Sequence, residues 1–438
     1  MKQRFVSLDR HSVCLSDYEE PDRYRELLAI NVGAPLIARG GGLSYVAASF
    51  GEGVRSVGLG RFDRILGFEP SQRWIEVEAG ITLGKLYDFC LQHGLGLPVQ
   101  PGHPQITIGG CIAGNVHGKN QFREGLFGDH VLGLRVFHPR YGLLELSRER
   151  ERDIFELTIG GLGLTGLILS ARLGLTPLLS DTAIVEHIAV DSIEETFARV
   201  AGLRAEQEMV YGWIDLAQPD SRGRGYVVAA KVLPRSAGRA GKKRIVRRLD
   251  PSRRRFRPRI FNSHTMPIIN RLYRRIGASA SAPRLISLFD FLFPAVGKEF
   301  YFDWFGAAGF LEMQVLVPER NCVGYAREVV NLIRRHEQPI VLATVKAFAG
   351  ASRLLHYGGS GFSFSLDVPN TPDTLALLAD LDDLNCANSV KSAVLKDSRL
   401  PAAVAKRQYG DYEEFRERLR TFDPGRSFES SLSRRLGL

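Results

Sequence analysis

The part of the chain with the most residues that could do chemistry is 101–120. It contains five glycines and ends in the tetrapeptide His117-Gly118-Lys119-Asn120. Glycines at this density allow the backbone to lie against a ligand, with N–H groups free to bind phosphate. The glycines alone would be typical of a turn between two strands. A titratable ring and a cation beside them favour a ligand-binding loop instead.

A second glycine-rich loop lies nearer the start of the chain. It has the sequence Arg39-Gly40-Gly41-Gly42-Leu43-Ser44-Tyr45 and follows a strand predicted over residues 35–38. A third run, at 161–166, fits the G-x-G-x-x-G fingerprint of dinucleotide-binding domains, which requires a strand before it and a helix after it. Because residues 167–173 are typical of a strand, the sequence argues against that fold.

The composition indicates an ordinary soluble globular protein. A chain of 438 residues is too long for one typical core, so we expect two domains. The five cysteines are scattered without Cys-x-x-Cys spacing, which disfavours both a disulfide framework and a metal site. Residues 1–30 lack the apolar core of a signal peptide, and no run reaches the roughly 18 apolar residues of a spanning helix. We therefore expect a cytoplasmic protein, or one peripherally associated with the inner membrane.

The net charge of +10 is concentrated in one segment, residues 235–275. That segment contains fifteen lysines and arginines and one acid, so it carries +14 and the rest of the chain carries −4. It is either a solvated loop or a surface that attracts anionic lipid headgroups or a phosphorylated substrate. Nucleic acid is disfavoured, because no recognised binding module surrounds the segment. Together with the apolar residues 285–296, we expect it to face a membrane or a lipid chain.

Periodicity and capping residues predict the elements that position these loops. In the first part they predict a strand at 74–79, a helix from Thr82 to Gly94 and a hairpin of 131–137 with 143–146. In the middle part they predict strand-rich segments at 183–191 and 209–232, strands at 309–317, 341–348 and 361–368, and helices at 325–335 and 374–384. After residue 389 the pattern returns to that of the first part, with a helix at 412–422. The predicted segments are 1–176, 177–389 and 390–438.

Several further motifs are spread over nearly the whole chain, in a fixed order. They are Ala38-Arg39-Gly40 with Ser44-Tyr45, residues 105–110, His117-Gly118-Lys119-Asn120, Gly163-Leu164-Thr165-Gly166, Ala308-Gly309-Phe310-Leu311, Lys396-Asp397-Ser398-Arg399 and Arg434-Arg435-Leu436. In this order the chain resembles the vanillyl-alcohol-oxidase type of FAD-linked oxidases, which carry a PCMH-type FAD-binding domain. Within that family it is most similar to oxidases acting on the 2′-hydroxyl of a polyprenylphosphoryl-β-D-ribose. The resemblance implies an α+β fold, with an FAD-binding domain formed by 1–176 and 390–438 around an inserted antiparallel-sheet substrate domain, 177–389.

The resemblance also implies FAD as the cofactor. The residues that it places around the diphosphate, the flavin and the adenine are Ala38, Arg39, Gly40, Gly41, Gly42, Leu43, Ser44, Tyr45, Gly102, Thr107, Ile108, Gly109, Gly110, Gly114, Asn115, Val116, His117 and Ile168. The backbone amides of the two glycine loops would wrap the diphosphate. Many relatives bond a histidine of the first loop to the flavin. Leu43 stands there in this chain and has no nucleophilic atom, so we expect FAD to be bound non-covalently.

For the reaction, the resemblance implies a lysine that contacts both the flavin and the substrate hydroxyl, and Lys396 matches it. His117 would be a second catalytic residue, although a core histidine explains it equally well. The residues implied to line the substrate pocket are Lys119, Lys346, Glu312, Gln314, Phe305 and Ser365. Lys119 and Lys346 would bind the carrier phosphate, and Lys346 and Gln314 are otherwise ordinary strand residues.

The sequence departs from the family pattern at several positions. Val46-Ala47 replaces a Gly-Asp pair, Ala393 replaces a tyrosine, Ser365 a cysteine, Phe305 a tyrosine and Glu312 a glutamine. The resemblance implies oxidation of the sugar hydroxyl to a ketone, with a short-chain reductase completing an epimerisation to arabinose. The departures leave other lipid-linked or small sugars open as substrates. The alternatives are a soluble aldose or aldonolactone oxidase and a non-catalytic basic binding protein.

Overall fold

The computed structural model describes residues 1–30, 33–217, 222–234, 246, 249–253, 256–278 and 282–438. Much of the basic segment, including 235–245, therefore lies outside the described residues. The described part combines antiparallel sheets with helices, and the predicted α+β class is confirmed.

The first part of the chain forms two sheets and a short pair of strands. Its strands are β1 (Lys2–Val6), β2 (Val13–Glu19), β3 (Leu36–Arg39), β4 (Arg55–Gly58), β5 (Ile65–Glu69), β6 (Trp74–Glu78), β7 (Leu95–Gly96), β8 (Val131–His138), β9 (Gly142–Ser147), β10 (Leu167–Gly174) and β11 (Thr176–Pro177). One sheet has the order β1-β2-β4-β3 and the other the order β5-β6-β10-β8-β9, while β11 pairs with β7. The β2–β4 and β3–β4 pairs are parallel and the remaining pairs antiparallel.

The helices of this part are short. They are α1 (Tyr24–Leu28), α2 (Leu83–Gln92), α3 (Ile108–Ala113), α4 (Gln121–Glu124) and α5 (Arg152–Thr158). The predicted cap of α2 is confirmed, since the Thr82 side chain accepts a hydrogen bond from the N–H of Lys85. The predicted hairpin is confirmed as β8 and β9. The run at 161–166 leads into strand β10 rather than a helix, so the Rossmann interpretation is excluded as expected.

The middle part forms one eight-stranded antiparallel sheet with helices packed against it. Its strands are β12 (Thr182–Val190), β13 (Met209–Ile214), β14 (Gly225–Val232), β15 (Arg284–Ser287), β16 (Phe310–Val317), β17 (Leu342–Phe348), β18 (Gly361–Pro369) and β19 (Lys391–Ser392). Their order is β15-β12-β14-β13-β17-β18-β16-β19. The helices are α6 (Ile193–Leu203), α7 (Met266–Ala278), α8 (Leu288–Leu292), α9 (Phe300–Asp303), α10 (Cys322–His336) and α11 (Pro372–Ala387). The sheet thus extends slightly beyond residue 389.

Three neighbouring strands of this sheet, β17, β18 and β16, have two different faces. Gln314 of β16 and Thr344 of β17 both stand opposite Ser365 of β18, so polar side chains share one face. The other face is apolar and packs against α6, α10 and α11; its residues include Met313, Val315, Val345, Phe364 and Leu366. Because successive side chains along a strand point to opposite faces of the sheet, the same three strands contribute apolar residues to the core and polar residues to the opposite surface.

The last helices pack on the first part of the chain. They are α12 (Ala402–Gln408), α13 (Tyr412–Phe422) and α14 (Ser431–Arg435). The N–H of Leu36 donates to Ser427 O at 2.7 Å, and the N–H of Leu432 donates to Ala47 O at 3.0 Å. Leu432 also shares a buried apolar cluster with Val46. This packing accords with the predicted return, while the exact division at 176 and 389 stays a prediction.

The apolar segment 285–296 differs from the expectation. Leu285 and Pro294 are exposed, whereas Leu288, Phe291, Phe293 and Val296 are buried in the main core. Their side chains fill space between the sheet and α2, so most of the apolar side chains of this segment point into the protein, and its contact with a membrane stays a prediction. Every described helix is too short or too polar to span a bilayer.

Candidate functional site

The first glycine loop leaves β3 with free main-chain donors. Strand β3 pairs with β4 as far as Arg39, and the loop then continues through residues 40–44. Within the described part of the chain, no acceptor pairs with the N–H groups of these five residues. A row of free backbone amides is the arrangement that binds a diphosphate without many cations.

The structure brings the second glycine loop into contact with the first. Thr107 caps α3, with its side-chain oxygen accepting from the N–H of Gly110 at 3.3 Å. A Cβ added at Gly40 would lie 2.1 Å from that same oxygen, so the two loops touch only because residue 40 has no side chain.

The role expected of the second loop's amides is wrong in one respect. The N–H of Ile108 donates to Ile81 O at 3.0 Å, and the N–H of Gly109 donates to Ala79 O at 2.8 Å. These donors are already used inside the protein. The free main-chain donors therefore belong to the first loop, and the second loop contributes its close packing against Gly40.

Three residues before α3 indicate that a polar group fits beside the loops. The side-chain atoms Gln100 Oε1 and His103 Nε2 are buried and have no hydrogen-bond partner in the described residues. Burial lowers the pKa of His103 to about 4. Between them, a Cβ at Gly102 would meet no atom within 4 Å. Open space next to unsatisfied polar atoms fits a large polar cofactor such as FAD.

Other residues expected at the cofactor have different surroundings. A Cβ at Gly114 would lie 2.9 Å from Leu395, so the end of α3 abuts the segment that carries Lys396. Asn115 accepts from the N–H of Gly128 at 2.8 Å and contacts His356 at 3.1 Å, so its amide is already engaged. Ile168 is buried in the core on β10.

Lys396 stands at the meeting point of the two parts of the chain. Its Nζ lies 3.3 Å from Glu312 Oε2 on β16 and 3.7 Å from the ring centroid of Tyr45. The Arg399 guanidinium fixes the turn that follows, because it pairs with Asp397 at 3.0 Å and with Asp382 of α11 at 2.5 Å. The structure thus joins the first glycine loop, the polar sheet face and the Lys-Asp-Ser-Arg motif at one place.

Asp367 is a buried acid beside this lysine. It stands opposite Glu312 across the β16–β18 pair and accepts a 2.6 Å hydrogen bond from the Tyr301 hydroxyl. Burial, and then the neighbouring Glu312 carboxylate, raises the pKa of Asp367 well above its usual range. Two close carboxyl groups cannot both ionise easily, so we expect this pair to hold a proton near Lys396.

His117 is held as a neutral ring by its partners. Its Nδ1 lies 3.2 Å from Gly118 O and its Nε2 lies 2.9 Å from the amide nitrogen of Gln314. This pattern assigns the proton to Nδ1, with Nε2 accepting. Gln314 also donates to Ser363, whose hydroxyl accepts from Tyr357 at 2.9 Å. Burial, together with Lys346 and Lys396, lowers the pKa of His117 to about 3.

This lowered pKa predicts a pH dependence of stability. The pKa of His117 is 6.5 in the unfolded chain and about 3 in the folded protein. Below pH 6.5 the unfolded chain therefore binds a proton at this residue, whereas the folded protein does not. Stability is therefore lost as the pH falls below 6.5, by roughly 2 kcal/mol at pH 5. Denaturant unfolding at pH 7 and pH 5 should show a smaller loss in His117→Gln than in the wild type. The exposed-histidine variant His264→Gln should behave as the wild type, and equal losses in all three proteins would contradict the prediction.

Two more lysines lie along the same polar face. Lys119 Nζ donates to Leu292 O at 2.9 Å and lies 5.3 Å from the Phe291 ring centroid. Lys346 projects from β17, and no described residue accepts a hydrogen bond from its ammonium. Burial, and then repulsion by Lys346, lowers the pKa of Lys119 to about 7; burial, and then repulsion by Lys396, lowers the pKa of Lys346 to about 8. Lysines that lie close enough together to lower the pKa of their neighbours favour an anionic ligand between them.

Two predicted pocket residues are placed differently. Phe305 is buried in an aromatic cluster, with its ring centroid 5.3 Å from that of Tyr301, and its side chain makes no polar contact with the described residues. Ser365 lies on the face and its hydroxyl is 2.6 Å from that of Thr344. Sequence reasoning missed Asp367, Tyr301, Tyr357 and Ser363. The polar residues alternating along 361–368 were a signal for Ser363 and Asp367, but no local pattern marks the two tyrosines.

Comparison with known proteins agrees with this geometry. Residues 25–146, which include both glycine loops, match the family described as FAD binding domain. The protein is an FAD-dependent oxidoreductase, and the oxidation that it carries out is sugar-related. The described residues contain no cluster of side chains that could hold a metal ion.

One relative matches nearly the whole chain. It is decaprenylphosphoryl-beta-D-ribose oxidase of Mycolicibacterium smegmatis, 28% identical over 419 residues that span 93% of this chain and 90% of the relative. Two others match a shorter part. L-galactono-1,4-lactone dehydrogenase 1 of Oryza sativa is 30% identical over 32% of this chain and 23% of its own length. L-gulonolactone oxidase of Mus musculus is 27% identical over 35% of each chain.

Proposed function

We propose that the protein oxidises the 2′-hydroxyl of a polyprenylphosphoryl-β-D-ribose to a ketone. The observation that carries the proposal is the polar sheet face, where Lys119 and Lys346 accompany Lys396. A small lactone has no anionic group for the first two lysines, whereas a sugar attached to a lipid phosphate has one. The relative that acts on such a substrate by its name also matches 93% of this chain, while the lactone enzymes match about a third.

Lys396, Glu312 and Asp367 have different roles in the proposed oxidation. When bound, FAD supplies the two-electron acceptor that the protein lacks. The Lys396 ammonium binds the substrate oxygen and stabilises negative charge as it develops there. Glu312, whose Oε2 lies 3.3 Å from that nitrogen, is placed to accept the hydroxyl proton. Asp367 is kept protonated by burial, so it leaves Glu312 as the charged partner of the lysine.

The remaining polar residues position the sugar. The Gln314 amide is held between His117 and Ser363, which fixes its orientation on the face. His117 stays neutral and hydrogen-bonded at both nitrogens, so a proton-transfer role for it is not favoured. We infer that it acts as a positioning residue for Gln314 rather than as the catalytic base. The Phe348 ring packs edge-on against His117, with the two ring centroids 4.8 Å apart, and helps to fix the orientation of the imidazole.

FAD is bound non-covalently in this proposal. Leu43 stands in the first glycine loop and packs against the aromatic cluster, without an atom that could form a bond to the flavin. After acid precipitation, the flavin spectrum should appear entirely in the supernatant. A coloured pellet would contradict it.

The lysine pair predicts how substrate affinity depends on pH. An anionic group binds the charged forms of Lys119 and Lys346, whose pKa values are about 7 and about 8. Affinity for a phosphorylated sugar should therefore fall as the pH rises through this range, and the double variant Lys119→Met/Lys346→Met should raise KM about tenfold or more. A neutral lactone should show neither effect. An unchanged KM for the phosphorylated sugar would contradict the assignment.

The test of the proposed function is anaerobic reduction of the flavin, followed by its absorbance. Polyprenylphosphoryl-ribose should bleach the spectrum rapidly, and free aldoses or aldonolactones should do so slowly. The reverse order would support the aldonolactone alternative. The ketone product also requires a second enzyme to reach arabinose, so we propose a short-chain reductase as the partner that reduces it.

A further inference from the structure

Helix α7 lies on the outside of the eight-stranded sheet and is attached by its inner side. Asn270 donates to Asp215 Oδ1 at 3.0 Å, and the Tyr273 ring stands edge-on to Trp213 with centroids 5.0 Å apart. Near the end of the helix the carbonyl of Gly277 lies 3.2 Å from His187 Nδ1. These contacts fix which side of the helix faces the protein.

The opposite side of α7 carries a stripe of exposed apolar side chains. Ile268 is 71% exposed, Leu272 60% and Ile276 59%. A spacing of four residues places the three side chains on one face of a helix. Since Asn270 and Gly277 lie about half a turn away, the stripe points away from the protein. Three large apolar residues exposed side by side mark a surface that binds something.

The charge around the stripe indicates what it binds. Arg271 and Arg275 flank it on the outer face of the helix, and Arg274 follows on the next side. Residues 251–289 include nine arginines and no acidic residue. A second copy of the same surface would place arginine against arginine, which disfavours symmetric self-association. An apolar stripe bordered by arginines complements an anionic lipid bilayer, where the chains take the apolar groups and the headgroups take the guanidinium groups.

We propose that α7 is a membrane-docking helix that lies in the interface of an anionic bilayer. It does so with Ile268, Leu272 and Ile276 among the acyl chains. The 13 residues of the helix span about 20 Å, which is the scale of an interfacial anchor and too short to cross the bilayer. This inference does not depend on the identity of the substrate.

The position of α7 connects the docked surface to the site. Its Tyr273 packs on Trp213, and Trp213 stands opposite Thr344 in the β13–β17 pair. Lys346 follows on the same face of β17, two residues further along. A bilayer under α7 therefore lies beside the edge of the polar face, from which a lipid-attached group could reach the lysines without leaving the membrane.

The experiment is sedimentation of the FAD-loaded protein with vesicles at low salt. The wild type should bind vesicles of equal parts phosphatidylglycerol and phosphatidylcholine, and should bind phosphatidylcholine alone weakly. The variant Ile268→Ser/Leu272→Ser should reduce the partition coefficient about tenfold or more. Leu15→Ser removes a leucine of similar exposure on β2, 59% exposed, and should bind as the wild type does. The flavin spectrum of each variant reports that it is folded.

The charge contribution is tested separately. Arg271→Gln/Arg275→Gln should weaken binding to the anionic vesicles and remove much of its salt dependence. The proposal is overturned if the wild type ignores anionic vesicles, or if the serine variant binds them as well as the Leu15→Ser control. It is also overturned if the wild type is a dimer that the serine variant converts to a monomer, because a second copy would then cover the stripe.

Discussion

Replacing Lys396 by alanine should abolish most turnover while leaving the flavin bound. The ammonium is the only described cation that contacts both Glu312 and the ring of Tyr45, at 3.3 Å and 3.7 Å. Without the ammonium, Glu312 is buried beside Asp367 and loses its ion pair with Lys396. The negative charge that develops on the substrate oxygen also loses its hydrogen-bond donor. Loss of one such donor typically lowers kcat by a factor of about 10² to 10³. Stopped-flow measurement of flavin reduction gives this rate directly.

The matched control for this variant is Lys406→Ala. Lys406 is an exposed lysine of α12, ten residues after Lys396, and its ammonium pairs with Glu413 at the surface. It should retain wild-type kcat and KM. A Lys396→Ala enzyme that binds FAD and reduces it at the wild-type rate would remove Lys396 from the mechanism. A Lys396→Arg variant should recover part of the rate, because the positive charge is kept but its position changes.

The second large effect is expected at Gly40. A Cβ at this position would lie 2.1 Å from Thr107 Oγ1, well inside any possible contact distance. Thr107 cannot simply rotate away, because the same oxygen caps α3 through the N–H of Gly110. Gly40→Ala must therefore push the two loops apart and displace the free amides of residues 40–44. We expect affinity for FAD to fall about a hundredfold, equivalent to about 3 kcal/mol.

Titration of the apoprotein with FAD, followed by flavin fluorescence, measures this change. Gly410→Ala is the control, since a Cβ there would meet no atom within 4 Å and its backbone is not left-handed. It should bind FAD normally. If Gly40→Ala bound FAD as tightly as this control, the first loop would not be the diphosphate site.

Local sequence patterns predicted the elements well where a single signal dominates. Thr82 marks the start of α2, and alternation marks β17 and β18, because capping and face patterns depend only on neighbouring residues. Helix α7 was missed because its apolar residues face outward among arginines. The sequence shows a basic segment there, and its helical stripe is recognisable only once the inner contacts of Asn270 and Tyr273 are known.

The sequence was sufficient to predict which residues belong to the site. It was not sufficient to predict how they are arranged in space. Lys396, Glu312 and Gln314 were expected together, and the structure brings them to one face. That Asp367 stands opposite Glu312 depends on the pairing of β16 with β18, and such long-range register is not encoded in either strand alone. The engagement of the Gly109 amide by Ala79 has the same cause, since the acceptor lies thirty residues away in sequence.

The hydrogen bonds between Leu36 and Ser427 and between Leu432 and Ala47 have a consequence for biosynthesis. The first glycine loop lies between these two anchor points, yet the ribosome makes them nearly four hundred residues apart. A nascent chain cannot hold the loop in place until residues up to 432 have emerged. Cofactor capture is then a late event, and a prematurely terminated chain would remain colourless.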